Sequence, residues 1–262
     1  MTEWNASAYD RQSSLQEAMA GEELGRLKLD GGERILDVGC GNGKITAEIA
    51  ARVPRGSVLG VDPSRDMIAF ATQHHVSADH ANLHFAVADV RSLNFEREFD
   101  LVVSFNALHW VPEQDAALRS IRRALKPGGQ TLLRFVPEGP RKCLEDVIEE
   151  VRASAYWAHF FPDFRKPYLH LTPESYEHLA GECGMRVVRM QAEDKAWDFE
   201  TREAFHAFCR ATFAEWTRCL PESEWDAFID AVLDRYEAVA AATPAEPATF
   251  KFYQLEIVLT PA

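Results

Sequence analysis

The stretch Ile35-Leu-Asp-Val-Gly-Cys-Gly-Asn-Gly-Lys44 runs from an apolar strand into a turn with glycine at positions 39, 41 and 43. Such a strand-to-turn passage raises the question of which nucleotide-like ligand the turn is shaped for. A dinucleotide fingerprint wants Gly-x-Gly-x-x-Gly, and here Lys44 holds the third glycine position while Gly43 comes one residue early. A Walker loop needs four residues between its first glycine and a Gly-Lys-Ser/Thr. Gly43-Lys44 is followed by Ile45 instead, with Gly39 only four positions upstream. What remains is a tight turn whose bare backbone lets a ligand lie flat on it. Asp37 precedes it at the strand's end, a carboxylate suited to a cationic ligand.

Working outward, short apolar runs alternate with helical patterns, the signature of βαβ units and a parallel sheet. The pattern predicts strands over 34–38, 57–62, 83–87, 99–105, 130–135, 186–193 and 250–259, the last two antiparallel. The second strand ends in Asp62, 19 residues after Gly43, where a carboxylate can accept both hydroxyls of a ribose. After the third comes Ala88-Asp89-Val90, an acid placed to take an exocyclic amine beside an apolar residue that can pack on a purine. Acids at three successive strand ends beside a Gly-x-Gly-x-Gly turn form one constellation.

Composition narrows the partner class. The chain has 262 residues and a net charge of −13, which repels a phosphate backbone and disfavours a membrane surface. Small molecules are the expected partners, with no nucleic acid and no membrane. Its apolar runs fall far short of the roughly 20 residues a bilayer span needs, and the start Met-Thr-Glu-Trp-Asn lacks a signal pattern, so a cytoplasmic location is expected. The five cysteines form no Cys-x-x-Cys pair and the nine histidines no His-Glu-x-x-His spacing, so neither a disulfide framework nor a metal site is expected.

Together, Leu36-Asp37-Val38-Gly39-Cys40-Gly41-Asn42-Gly43, Val61-Asp62-Pro63-Ser64, Ala88-Asp89-Val90 and Leu125-Lys126-Pro127-Gly128-Gly129 resemble the class I S-adenosylmethionine-dependent methyltransferases. The resemblance covers the core from about Asp30 to Phe135. More narrowly, Trp4-Asn5, Tyr9 and Ser13-Ser14-Leu15-Gln16, with Ser104-Phe105-Asn106-Ala107-Leu108-His109-Trp110-Val111, look like the trans-aconitate and juvenile hormone acid methyltransferase branch. The resemblance implies an α/β, Rossmann-like, seven-stranded, mostly parallel sheet with S-adenosyl-L-methionine at the carboxyl ends of the first strands. It puts Asp62 on the ribose, Asp89 and Val90 at the adenine, and Asp37 with the Gly39–Gly43 turn near the methionine part. The expected cofactor set is Asp37, Gly39, Cys40, Gly41, Asn42, Gly43, Asp62, Pro63, Met67, Asp89, Val90 and Asn106. Gln16 and Trp110 are implied to hold a substrate carboxylate.

The chemistry agrees. A methyl on a sulfonium is already activated, so the protein has to align a nucleophile and exclude water. A carboxylate nucleophile needs no base. It needs neutral donors, and Gln16, His109 and Trp110 supply an amide, an imidazole and an indole N–H. The expected reaction is methyl ester formation on a small, apolar carboxylic acid. Two alternatives stay open: transfer to a hydroxyl, amine or carbon with His109 as base, and a non-catalytic cofactor-binding module. Expected organisation is an N-terminal lid helix over 1–30, a cofactor core over 31–136, an aromatic-rich cap insertion over 137–171, core again over 172–200, a helical cap over 201–243 and a terminal strand over 244–262. Tyr156, Trp157, Phe160, Phe161, Phe164 and Tyr168 are expected to wall the substrate pocket, with Arg152, Arg165 and Lys166 among them. Phe205, Phe208, Phe213 and Trp216, then Trp225, Phe228, Ile229, Val232, Leu233 and Tyr236, recur at helical spacing, which suits core packing or pocket lining.

Overall fold

The computed structural model describes residues 27–76, 81–240 and 248–262, together with Ala6, Ser7, Asp10, Gly21, Leu24, Gly25 and Glu246. Seven strands are β1 Arg34–Val38, β2 Ser57–Asp62, β3 Leu83–Val87, β4 Phe99–Phe105, β5 Leu125–Phe135, β6 Met185–Asp198 and β7 Thr249–Pro261. They form one sheet in the order β3-β2-β1-β4-β5-β7-β6. The pairs among β1 to β5 are parallel, and β7 runs antiparallel to both β5 and β6.

Successive residues of the central strands face opposite sides, as a pleat requires. Ile35, Val103 and Leu132 pack with Ile49 and Val53 around helix α1 (Lys44–Arg52) on one face. Leu36, Val102 and Leu133 pack on the other with Leu118 and Ile121 of α3 (Gln114–Ala124) and Tyr176 and Ala180 of α5 (Pro173–Glu182). Local chemistry starts the helices. Ser64 caps α2 (Arg65–His75) by accepting the Met67 N–H at 3.3 Å, and Thr172 caps α5, with Pro173 in its first turn.

The first four strands have the bounds read from the sequence. β5 starts five residues earlier, because Leu125 already pairs with Phe99 ahead of an irregularity in the β4–β5 register. The β6–β7 pair is also longer than expected, running from Met185 opposite Pro261 to Asp198 opposite Thr249. Its far end leaves the sheet and backs the cap.

There α4 (Leu144–Arg152), α6 (Arg202–Thr212), the short α7 (Ala214–Thr217) and α8 (Trp225–Ala240) gather around one cluster with Trp157, Phe161, Tyr168, Phe250 and Phe252. Phe205, Phe208, Phe213 and Trp216 do not share a continuous helix: the chain breaks at Phe213, which caps α7. Trp216 is fully buried, and its indole donates to Glu149 Oε1 at 2.8 Å. Each large apolar side chain buried here contributes about 1.5–3 kcal/mol.

A hydroxyl adds a polar tie between cap and ribbon. Tyr236 Oη donates to the Lys251 carbonyl and accepts the Lys251 N–H, both at 2.9 Å. Tyr236→Phe strips the partner from both part-buried backbone groups of Lys251, and a loss of about 1–3 kcal/mol is expected. The denaturant midpoint should fall with an unchanged m-value; an unchanged midpoint would show that water replaces the hydroxyl without cost.

Candidate active site

A cavity of about 630 Å³ opens where the carboxyl ends of β1 to β4 meet the cap. Ten of the expected site residues line it together: Gly39, Gly41, Asp62, Pro63, Met67, Asp89, Val90, Asn106, His109 and Trp110. Gly39 shows why the turn is bare. It lies at φ +74°, and a Cβ there would stand 2.2 Å from the Cβ of Ala107. Its N–H and that of Cys40 both donate to the Val61 carbonyl, at 2.8 and 3.1 Å, tying the β1 turn to the end of β2.

Asp62 accepts the Gly41 N–H on Oδ2 at 3.1 Å and the Ser64 N–H on Oδ1 at 2.9 Å. These bonds orient the carboxylate at the cavity wall. Asp89 caps the turn Val90–Ser92, and the Arg91 guanidinium grips both its oxygens at 2.6–3.0 Å. Arg91, which also bonds Glu113 at 2.8 Å, holds the Asp89 carboxyl below its ordinary range. Sequence reasoning passed over Arg91, although its place two residues after Asp89 was a usable signal.

Four members of the expected set, Asp37, Cys40, Asn42 and Gly43, are not among the lining residues. Asp37 is buried under the turn and accepts the Thr46 hydroxyl at 2.7 Å. Burial, opposed by that bond and helped by nearby Asp62, pushes its carboxyl up to about 7. Cys40 is buried, and desolvation raises its thiol. Asn42 donates to Asp10 Oδ1 at 3.0 Å, and Lys44 pairs with the same oxygen at 3.0 Å, so Asp10 is held against the turn. Gly43, at φ +82°, caps α1, and a Cβ there would meet Ala71 and Phe85 at 2.7 Å. The early third glycine thus serves packing between α1, α2 and β3. Gln16 and most of the expected lid over 1–30 lie outside the described residues.

Past β4 the chain turns at Asn106, at φ +54°, into a short turn Leu108–Trp110. His109 is buried, with its ring 5.8 Å from that of His170. Desolvation, with the charge of His170, pushes it well below its ordinary value and favours the uncharged ring. No described group bonds its Nδ1. Trp110 packs edge-on against Trp216 at 5.9 Å and Tyr168 at 6.2 Å, joining sheet loop to cap.

The cap wall differs from expectation. None of Tyr156, Trp157, Phe160, Phe161, Phe164 and Tyr168 lines the cavity; most pack into or against the cap's own core, while Tyr156 is exposed. The apolar wall comes from Leu144, Ile148, Phe208, Phe213, Trp216, Phe250 and Phe252, with Arg165, Lys166 and Arg218 among the polar lining residues. Arg152 is not among them and pairs with Glu149 at 2.6 Å. Beside the cavity, ligand atoms of Cys143, Glu145 and His170 lie within 4.8 Å of one another. The Cys143 Sγ to His170 Nδ1 contact of 3.3 Å is a hydrogen bond, and desolvation raises the thiol, which disfavours the thiolate a metal would need.

Comparison with known proteins fits this geometry. The profile of a methyltransferase domain matches residues 35–129. Residues 35–129 are a methyltransferase domain. A protein of Invertebrate iridescent virus 6 described as methyltransferase 235L is 27% identical over 234 residues, covering 89% of this chain and 85% of its own. Trans-aconitate 2-methyltransferase of Methylobacterium radiotolerans is 33% identical over 60% of this chain and 58% of its own. Juvenile hormone acid O-methyltransferase of Bombyx mori is 29% identical over 63% of this chain and 62% of its own, so the matched stretch spans less than two thirds of either enzyme. Malonyl-[acyl-carrier protein] O-methyltransferase of Paenibacillus is 26% identical over 82% of this chain and 80% of its own. Among solved structures, a Bacillus halodurans protein described as a methyltransferase shares the fold at TM-score 0.67 and 17% identity, over 94% of this chain and all of its own. A Haemonchus contortus phosphoethanolamine N-methyltransferase solved with S-adenosylhomocysteine does so at TM-score 0.61 and 20% identity, over 98% of this chain and 57% of its own.

The fold is one in which neighbours have been solved with S-adenosylhomocysteine or S-adenosyl-L-methionine bound. The site fits that cofactor: a floor without side chain at Gly39, an oriented carboxylate at Asp62, and Met67 and Val90 as apolar neighbours.

Two measurements check the site. Asp62→Ala should weaken S-adenosylhomocysteine binding about 10- to 100-fold by calorimetry, equivalent to about 1.5–3 kcal/mol; unchanged affinity would misplace the ribose. Asp37 is raised in the fold, so its ionisation destabilises the native state as pH climbs from about 4, the unfolded value, to about 7. The stability of Asp37→Asn relative to the parent should rise across that window and level off above it; a pH-independent difference would refute the shift.

Proposed function

We propose that this methyltransferase converts a small, mostly apolar carboxylic acid to its methyl ester. The observation that carries the reading is the setting of His109: it is buried, its ring lies 5.8 Å from the imidazole of His170, and no described group bonds its Nδ1. A general base gains basicity and orientation from an acidic partner, and His109 has the opposite environment. A carboxylate acceptor requires no proton removal. Held in line with the activated methyl of a bound cofactor, its oxygen would take that methyl, with the methyl ester and S-adenosylhomocysteine as products.

The bound cofactor would supply an activated methyl on sulfur. His109 and Trp110, at the cavity's β4 edge, would offer neutral N–H groups to one acceptor oxygen, which orients the acid without quenching the other oxygen as full charges would. Leu144, Ile148, Phe208, Phe213 and Trp216 exclude water around it. The names of the trans-aconitate, juvenile hormone acid and malonyl-[acyl-carrier protein] relatives support a carboxyl acceptor. Five free cysteines, four of them buried, support a reducing, cytoplasmic setting. No helix among the described residues is long and apolar enough to cross a membrane.

Trp110→Phe and Gln16→Ala should each lower kcat/KM by about 10- to 1000-fold, about 1.4–4 kcal/mol, on the acid found by a thermal-shift screen with S-adenosylhomocysteine. The double variant should lose less than the product of the two if both act on one carboxylate, as the family resemblance implies. The kcat profile should be nearly flat across neutral pH; a steep rise there, with both single variants at full rate, would return the role of base to His109.

A further inference from the structure

Cofactor-facing polarity at the end of β4 is set from beneath the sheet. Asn106 lines the cavity, and its amide Oδ1 accepts a hydrogen bond from Gln254 Nε2 at 3.0 Å. Gln254 is buried on β7, and its own Oε1 accepts from Arg134 Nη2 at 2.6 Å. Arg134, on β5, is also buried, and its carbonyl accepts the Asn106 N–H at 2.8 Å. A guanidinium can only donate. Arg134 must therefore face the Gln254 oxygen, Gln254 must present its NH2 to Asn106, and Asn106 must answer with oxygen. The Asn106 NH2 is left for the cavity.

Position says what that donor meets. Asp89, Asp62, Gly39 and Asn106 lie at or just past the ends of β3, β2, β1 and β4, four adjacent strands about 4.8 Å apart. With the ribose at Asp62 and the adenine at Asp89, the amino-acid end of the cofactor extends past Gly39 to Asn106. That end carries an ammonium, which repels an N–H donor, and a carboxylate, which takes one.

We propose that Arg134 and Gln254 are positioning residues that lock the Asn106 amide with its NH2 toward the carboxylate of the cofactor's amino-acid end. The inference rests on the cofactor and is independent of which acceptor is methylated.

Gln254→Glu tests it. A carboxylate at 254 still accepts from Arg134 but cannot donate to Asn106, so the Asn106 amide must invert and show its oxygen to the cavity. Calorimetry should find S-adenosylhomocysteine bound at least 10-fold more weakly, while 5′-methylthioadenosine, which lacks the amino-acid end, keeps its affinity within about twofold. Asn106→Asp, which preserves the acceptor for Gln254 but places an anionic oxygen in the cavity, should show the same split and covers the case in which Gln254→Glu fails to fold. Equal weakening of both ligands would mean that the network only supports the site's shape, and no weakening of either would mean that the Asn106 amide faces no carboxylate; each overturns the proposal.

Discussion

The carboxyl edge of the sheet depends on how closely the turn after β1 lies against the loop after β4. A single added methyl at Gly39 would meet Ala107 at 2.2 Å, a contact that no small shift of a flexible side chain could relieve. That closeness lays a floor of backbone between the acids of β2 and β3 on one side and Asn106, His109 and Trp110 on the other. One steric constraint thus joins the half of the site that would hold the cofactor to the half that would receive the acceptor. The left-handed conformation of Asn106 belongs to the same turn. It lets β4 end and the donor-bearing turn begin without the chain climbing away from the cavity.

The cap completes what the sheet begins. Trp110 is the seam, in ring contact with Trp216 and Tyr168, so a residue expected to touch substrate also carries packing between two layers. Its surroundings are largely apolar, and a hydrogen bond offered there to a carboxylate is worth more than one in water. The neutrality of His109 follows from the same burial. A dry site gives up an imidazole that could be protonated and gains an uncharged donor, which suits an acceptor that needs no deprotonation.

Much of the fold was legible because its central strands are buried on both faces. Runs such as Ile35-Leu-Asp-Val and Leu101-Val-Val end where their apolar character ends, and their bounds follow. The β6–β7 ribbon was harder to bound, since its outer half alternates exposed and partly buried residues and crosses into the cap. Helical spacing marked Phe208, Phe213 and Trp216 but could not separate cavity-facing from core-facing members. The same limit misled the reading of the 156–168 aromatics, which largely pack into the cap's own cluster. Asp37 was read as facing a cationic ligand because it ends a strand beside the glycine turn; the Thr46 hydroxyl, nine residues on, shows that it points beneath the turn instead. The link from Arg134 to Gln254 spans 120 residues, and no local pattern announces it.

That link is hard to explain by stability. Burying a guanidinium costs several kcal/mol before its partners repay it, and apolar residues of similar volume often do as well or better. Here the charge is answered by Glu256 at 3.9 Å, which is itself paired with Arg189 at 2.7 Å, and by the side-chain amide oxygen of Gln254. What an apolar trio could not supply is direction. An isolated Asn amide can present oxygen or NH2 with nearly equal shape, whereas one wired through Gln254 to a donor-only cation has a single low-energy orientation. The polar interior beneath β4 is thus an arrangement for orienting an amide at the surface of the cavity, and its cost in desolvation is what gives that orientation its strength.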